Sequence, residues 1–394
     1  MAEWFVRRGW QVTVLTGVPH YPWWRVPDDY ARRDYRHGRG DEVINGVQVR
    51  RVRHFVPAPP VSGKARMRLD ASYLGHWLRR VPGLRERPDV IVGVAPPYLV
   101  GGLLLALRAR FRVPVVYHVQ DLQVDAALDL KMLPARLEGP LRWSERWQLE
   151  RMDLVTACGR GMLPRLAAKG RLRLRPRHWP NWADVDAMHP WTGGGNPERP
   201  ALHGQGDQMR VLYSGNLGRK QGLEVLVEAA RLWRDDAGLA LTIAGSGAER
   251  AALEQSVADL PGVQVQDLRP ADRLRAVLAA ADLHVIPQRR EAADLVLPSK
   301  LLNILAVGRP VVVTAEPGTE LAEVVTAAGA GLVVPPEDPA ALATAVRALA
   351  GDPARRAAMG AAGRSWIVDH LGADAVLGRM ERDLRGLMRV GRRG

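Results

Sequence analysis

Short apolar runs alternate with amphipathic stretches along most of this chain, most clearly in its second half. There the runs Arg210–Ser214, Ala240–Ala244, Val263–Gln266, Leu283–Pro287, Pro310–Thr314 and Gly331–Val334 predict strands. Segments near Gly222–Trp233, Glu249–Ala258, Ala271–Ala280, Ser299–Val307, Leu321–Ala327 and Pro339–Ala350 carry helical period. Strands and helices of this length in alternation argue for a parallel α/β sheet. The first half has the same rhythm, with strands at Gln11–Thr16, Asp89–Val94, Val113–His118 and Asp153–Cys158 and helices at Arg66–Arg79 and Leu141–Met152. Val43–Val56 alternates around Asn45-Gly46, which predicts a hairpin. Pro190–Gln208 is rich in Gly, Pro and polar residues and reads as a linker. Gly360–Met388 reads as one or two helices. The resulting map is a domain over 1–189, a linker over 190–208, a second domain over 209–365 and a helical tail over 366–394.

The pattern opens oddly. Met1–Gly9 reads as the second half of an amphipathic helix, and the first strand comes only after it. A doubly wound domain opens on a strand that becomes central in the sheet. We therefore expect roughly 20 to 25 residues upstream of Met1, with an apolar β-branched run and a Gly-containing loop.

Composition adds bounds. The chain is 47% hydrophobic and 25% charged, ordinary for a globular protein. Cys158 is the single cysteine, so no internal disulfide can form, and it reads as a small buried residue. Residues 1–190 hold 32 Lys and Arg against 18 Asp and Glu, whereas the remainder is balanced. The whole net charge of +14 thus sits in the first half and suggests an anionic partner. Val90–Leu107 has 18 uncharged residues, the lower limit for a membrane span. Pro96-Pro97 splits it, and strand, loop and helix start explain it better. No signal peptide is visible at the start.

The chemistry centres on ADLVLPSKLLNILAVGRPVVVT, Ala293–Thr314. It predicts a loop, a short helix capped by Ser299, a turn at Gly308 and a buried strand. A helix N-terminus suits a diphosphate. Lys300 lies in its first turn, and Asn303 shares that face. Ser214–Gly222, SGNLGRKQG, is a glycine-rich strand-to-helix turn with Gly215, Asn216, Arg219 and Lys220, and Ala244–Gly247 is a second, containing Gly245. In the first half, His118 ends a strand and is followed by Asp121 and Asp125, and GVPHYPWW places His20, Tyr21 and Trp24 at another strand end, where ligands bind in such sheets.

PSKLLNILAVGRPVV, with YSGNLGRKQGLEVLVEAA, HVQDLQVDAALDL and TGVPHYPWW in order, resembles GT-B glycosyltransferases of family 4, and among them the WcaI type of colanic-acid biosynthesis. The resemblance spans nearly the whole chain. It implies two Rossmann-like, doubly wound parallel-sheet domains facing across a cleft, the first lacking its opening strand, with the tail crossing back to it. It implies a retaining transferase that moves a sugar from a nucleoside-diphosphate sugar, GDP-fucose being suggested, to a lipid-linked glycan at the cytoplasmic face of the inner membrane. Under it, Gly215, Asn216, Arg219, Lys220, Gly245, Asp294, Ser299, Lys300 and Asn303 serve the donor. His20, Tyr21, Trp24 and Asp125 serve the acceptor, and His118 and Asp121 the reaction. No metal or other cofactor is expected. The chain departs from the family where many members carry two glutamates separated by seven residues: Leu295 and Asn303 stand there, with Glu291 and Asp294 nearby.

Two other classes fit the sequence less well. A nucleotide-sugar 2-epimerase shares the architecture but needs acidic groups around the sugar, and the PHYPWW loop has no clear place in it. A nucleic-acid-binding protein would show a basic patch with stacking aromatics. The tryptophans are scattered and no such module is present, so a nucleic-acid partner is not expected.

Overall fold

The computed structural model describes residues 1–35, 40–59, 61–129, 135–290 and 296–391. It divides into two compact units: Met1–Cys158 with Met162–Trp179 and Arg379–Gly394, and Pro180–Gly378 with Gly159–Gly161. The division lies at Trp179–Pro180, earlier than the composition shift at Pro190. The reason is hydrogen bonding. Arg364 donates to the carbonyls of Val185 and Met188, and Ala183 bridges to Gly372, so this stretch belongs with the second unit.

The first unit begins with helix α1 (Ala2–Arg7), strand β1 (Thr13–Gly17), the short helix α2 (Asp28–Ala31) and strands β2 (Glu42–Ile44) and β3 (Val47–Val52). Helix α3 (Gly63–Arg80), β4 (Ile91–Ala95), α4 (Val100–Phe111), β5 (Val115–Val119), α5 (Gln123–Asp129), α6 (Glu138–Leu149), β6 (Leu154–Ala157), α7 (Met162–Ala168) and β7 (Arg177–His178) follow. Strands β2 and β3 form the expected antiparallel hairpin, with Asn45 at φ 49° and Gly46 at φ 82°. Two successive positive φ values are what a tight hairpin of matching twist demands. The uncharged stretch Val90–Leu107 splits into β4 and α4, and among the described residues no helix is long and apolar enough to cross a membrane.

The strands of this unit form two sheets, ordered β1-β3-β2 and β4-β5-β6-β7. Strands β1 and β4 each end their sheet. A cavity of about 1370 Å³ is lined by both.

The second unit carries β8 (Met209–Asn216), α8 (Leu223–Leu232), β9 (Leu239–Ser246), α9 (Arg250–Ser256), β10 (Val263–Gln266), α10 (Leu274–Ala280), β11 (Leu283–Ile286), α11 (Ser299–Ala306), β12 (Val311–Thr314), α12 (Glu320–Ala327), β13 (Gly331–Val334), α13 (Pro339–Ala350) and α14 (Pro353–Leu371). Its six strands form one parallel sheet ordered β10-β9-β8-β11-β12-β13. Val211, Leu212, Leu241, Ile243, Val312 and Val313 are fully buried, as strands covered on both faces require. Asp338 caps α13 by accepting from Ala341 N at 2.8 Å, with Pro339 at the first helical position.

One expected cap is corrected. Pro298 is the N-cap of α11 and makes no side-chain bond, while Ser299 is already the first helical residue. The proline's fixed φ starts the helix without a hydroxyl. Gly308 follows the helix at φ 70°, as expected.

The last helix, α15 (Ala373–Gly391), carries its end into the first unit from Arg379 onward. Glu381, buried, accepts from Trp10 Nε1 at 3.0 Å and from Arg385 at 2.7 Å. Asp383 accepts from Trp179 Nε1 at 2.9 Å and pairs with Arg177.

Gly331 tests the second sheet. A Cβ there would lie 1.7 Å from the Val311 carbonyl oxygen, backbone that cannot move without opening the β12–β13 ladder. Gly331→Ala is expected to cost about 2–4 kcal/mol, measured by urea unfolding. Unchanged stability would show that the ladder relaxes freely.

Candidate active site

In the second unit the strand ends converge on α11. Strand β8 finishes at Gly215 and Asn216, beside a pocket of about 370 Å³. Gly215, Asn216 and Gln221 line it from one side, and Ser299, Lys300 and Asn303 from the other. Leu268, just after β10, and Leu274 and Leu278 of α10 complete its apolar part. The spacing argument for Lys300 and Asn303 therefore places both in one concavity.

Lys300 is held from below. Its Nζ lies 4.3 Å from the centroid of the Tyr213 ring and donates to the Tyr213 hydroxyl at 3.1 Å. That hydroxyl in turn donates to the Asn216 carbonyl at 2.6 Å. Burial raises the phenol's pKa, so it stays a donor. Gly215 makes room for this arrangement, because a Cβ there would stand 2.8 Å from Lys300 Nζ. Tyr213 sits inside an apolar strand, where sequence gives it the look of a core residue.

Other expected donor residues differ. Gly245 is buried, and a Cβ there would meet the Gly215 oxygen at 2.3 Å and the Leu217 side chain at 2.6 Å. Its lack of a side chain therefore serves the packing of β9 against β8. Arg219 is exposed and outside the pocket lining, whereas Gln221 is in it. Backbone turns here as a single 3₁₀ turn, Arg219–Gln221, ended by Gly222 at φ 64°. The side chain of Lys220, and Glu291, Asp294 and Leu295, lie outside the described residues. His284, not foreseen, is fully buried in the pocket wall. Its Nε2–H donates to the Leu278 carbonyl at 2.9 Å, and its Nδ1 has no partner.

In the first unit His118 ends β5. Gln120 donates its amide to His118 Nε2 at 2.7 Å, which leaves the ring proton on Nδ1, donated to Thr156 Oγ1 at 2.9 Å. The ring packs on Trp179 at 5.8 Å between centroids. Burial, and then His178, hold its pKa down at about 4, so the imidazole is neutral at pH 7. Asp121 is exposed. Asp125 is held in an ion cluster. Lys169 Nζ donates to it at 2.8 Å and to Glu145 at 2.6 Å, tying α5 and α6 to the residue that follows α7.

His20 follows β1 and clusters with Trp24 at 5.7 Å and with His54 at 5.0 Å, while Tyr21 lies 6.0 Å from Trp24 and is exposed. Arg66 of α3 sits over the Trp24 ring at 5.5 Å. His54 was not foreseen. It is buried against Gly17, whose Cβ would meet its ring at 2.4 Å, and burial lowers its pKa. Among the described residues no group of three or more His, Cys, Asp or Glu is placed to hold a metal ion.

Comparison with known proteins gives this geometry its context. Residues 1–182 match the model of the glycosyl transferase 4-like domain, and residues 208–352 that of the glycosyl transferases group 1. The chain is 34% identical, over 88% of its length and 86% of the relative's, to the putative colanic acid biosynthesis glycosyl transferase WcaI of Escherichia coli K12. The chain belongs to the group 1 glycosyltransferases. A second relative of this glycosyltransferase is the GDP-mannose-dependent alpha-(1-6)-phosphatidylinositol monomannoside mannosyltransferase of Mycolicibacterium smegmatis, 28% identical over 89% of the chain and 85% of that protein. Among solved structures, sucrose-phosphate synthase from Thermosynechococcus elongatus superposes with a TM-score of 0.72 at 20% identity, covering 99% of this chain and 92% of that one. Anabaena HepE in complex with UDP-glucose gives 0.62 at 16%, covering 87% of each. The glycosyltransferase thus has the α/β architecture of GT-B enzymes.

The two neutral histidines make stability depend on pH. His118 and His284 are both pushed down to about 4 in the folded state, from the ordinary 6.5. Between those values the unfolded chain takes up protons that the folded chain refuses. Stability is therefore expected to fall as pH drops from 6.5 towards 4, by up to about 1.4 kcal/mol per pH unit for each histidine. His118→Asn should flatten the slope seen in urea titrations across that window. An unchanged slope would remove His118 as a cause.

Proposed function

We propose that this glycosyltransferase moves a sugar from a nucleoside-diphosphate sugar to a hydroxyl of a lipid-linked glycan, with retention at the anomeric carbon, in building a cell-surface polysaccharide. The observation that carries the reading is Lys300, held on Tyr213 in the first turn of α11 beside Gly215. A preorganised cation at a helix N-terminus stabilises charge that develops on a departing diphosphate. Ser299 adds a hydroxyl, and Asn303 can both donate to and accept from ribose hydroxyls. Asn216 and Gln221 offer amides to the phosphates, with Arg219 and Lys220 close by in the sequence. The Leu268 side of the pocket is apolar, as a base requires.

In the first unit His20, Tyr21 and Trp24 offer a stacking surface to an acceptor sugar. Asp121, exposed after β5, polarises the acceptor hydroxyl, and His118 acts through Gln120 to position that turn. GDP-fucose is the proposed donor. Support comes from the GDP-mannose dependence of the Mycolicibacterium relative and the colanic-acid role in the name of the Escherichia coli one. No metal is assigned. Acceptor phosphates and the inner membrane surface would meet residues 1–190, which carry the entire net charge.

Two experiments test this reading. In a thermal-shift screen of GDP-, UDP- and dTDP-sugars, GDP-fucose is expected to give the largest rise in Tm, and a larger rise with another nucleotide replaces it as donor. Lys300→Ala should lower turnover about a hundredfold, and Tyr213→Phe, which keeps the ring but loses the hydroxyl, about tenfold. Full turnover of Lys300→Ala would remove the donor assignment.

Vesicle sedimentation tests the membrane part. Binding to vesicles rich in anionic lipid should disappear as the Debye length shrinks from ~30 Å to ~3 Å with added salt. Equal binding to neutral vesicles would show that charge does not direct it.

A further inference from the structure

Of the 12 tryptophans in this chain three are exposed, and two of those, Trp143 and Trp147, stand one turn apart on α6. Their rings stack, with 6.3 Å between centroids and 23° between planes. Arg151, a further turn along, places its guanidinium 4.5 Å from the Trp147 ring centroid and donates to the Trp147 carbonyl at 3.1 Å. Residues four apart share a helix face, so Arg151, Trp147 and Trp143 form one column. Trp147, between two neighbours, is 38% exposed, and Trp143, at the end of the column, 65%. The next position in the column is Gly139, where an added Cβ would meet nothing within 4 Å. An indole is thus left in water beside an open position. Large aromatics are concentrated where proteins bind other molecules, because they bring much contact area at little entropic cost.

The neighbouring row on the helix says what fits. Glu138, Arg142, Arg146 and Glu150 are closed into two ion pairs, Arg142 Nε to Glu138 at 2.9 Å and Arg146 Nε to Glu150 at 2.8 Å. The row has no net charge. A lipid surface or a nucleic acid is drawn by cations that lack carboxylate partners, and the cations of this row already face carboxylates. An uncharged sugar ring matches both rows. Its C–H face can lie on the electron-rich face of an indole. The hydroxyls around its rim can donate to a carboxylate and accept from a guanidinium. The Glu138 and Arg142 side chains are each about half exposed, so both keep hydrogen-bonding capacity open to a ligand.

We infer that Trp143, with the Glu138–Arg142 pair alongside and the open position at Gly139, is a platform for an uncharged saccharide. None of these residues lines the α11 pocket or the cavity lined by β1 and β4, so this is a second site. Its role would be to hold a sugar unit of the acceptor polymer other than the one that reacts. The inference rests on the polysaccharide role for the source of its ligand, and not on the donor assignment.

The test is titration of the 394-residue chain with maltohexaose, cellohexaose and laminarihexaose, without any nucleotide, by calorimetry and by NMR of the indole N–H groups. At least one is expected to bind with a Kd of about 1 mM. The indole signal that Trp143→Ala removes should be among those that shift. Trp143→Ala should weaken binding about tenfold or more. Gly139→Leu should do the same by filling the open position, and leucine is the better helix former, so folding is kept. Lys300→Ala should bind the oligosaccharide like the unaltered chain, which separates this site from the donor pocket. Binding of none of the three, or equal binding by the unaltered chain and both α6 variants, would overturn the inference. So would a loss confined to phosphatidylglycerol vesicles or to oligo(dT) in Trp143→Ala, or a dimer, seen by light scattering, that this variant dissolves.

Discussion

A strand covered on both faces has nowhere but its neighbours to send its N–H and C=O groups. That constraint organises both units. In the second it is met across six parallel strands, and Val211, Leu212, Leu241 and Val312 can then be fully apolar and fully buried. Parallel pairing also places every strand's C-terminal end on one edge of the sheet, with helix N-termini beside it. Gly215, Asn216 and Lys300 meet there for that reason. Among the described residues of the first unit, β1 and β4 each pair on one side only, and a cavity of about 1370 Å³ is lined by both.

The strand–helix rhythm was legible from the apolar runs, and so were the hairpin at Asn45-Gly46 and the split of Val90–Leu107 at its prolines. Local signals govern those features. The division between the units was not legible, because Arg364 reaches from α14 to the carbonyls of Val185 and Met188, and no local pattern announces a contact that distant. The cap of α11 shows a smaller failure. Ser299 has the right chemistry, but Pro298 occupies the position one residue earlier and suffices.

Lys300 and Asn303 could be found by helical spacing because their partners lie on one short helix. Tyr213 and His284 could not. Each is a polar group inside an apolar strand, and sequence offers no sign that Tyr213 underlies Lys300 or that His284 stands in the pocket wall. Gly245 carries a packing role that its sequence position does not announce, since a glycine required by a neighbouring strand looks the same in sequence as one required by a ligand. Asp125 is similar: its place after His118 suggested an acceptor contact, and only the fold brings Lys169 to it.

The Glu381 and Asp383 contacts have a consequence in time. A ribosome delivers Trp10, Arg177 and Trp179 long before the helix that carries their partners. The first unit's residues thus leave the exit tunnel ahead of their own last helix, while the second unit needs nothing later than Gly378. N-terminal-first folding during synthesis is the usual order for multidomain chains. Here the first unit cannot be completed before the end of α15 has been made, and that end, from Arg379 onward, follows the whole of the second unit in the chain.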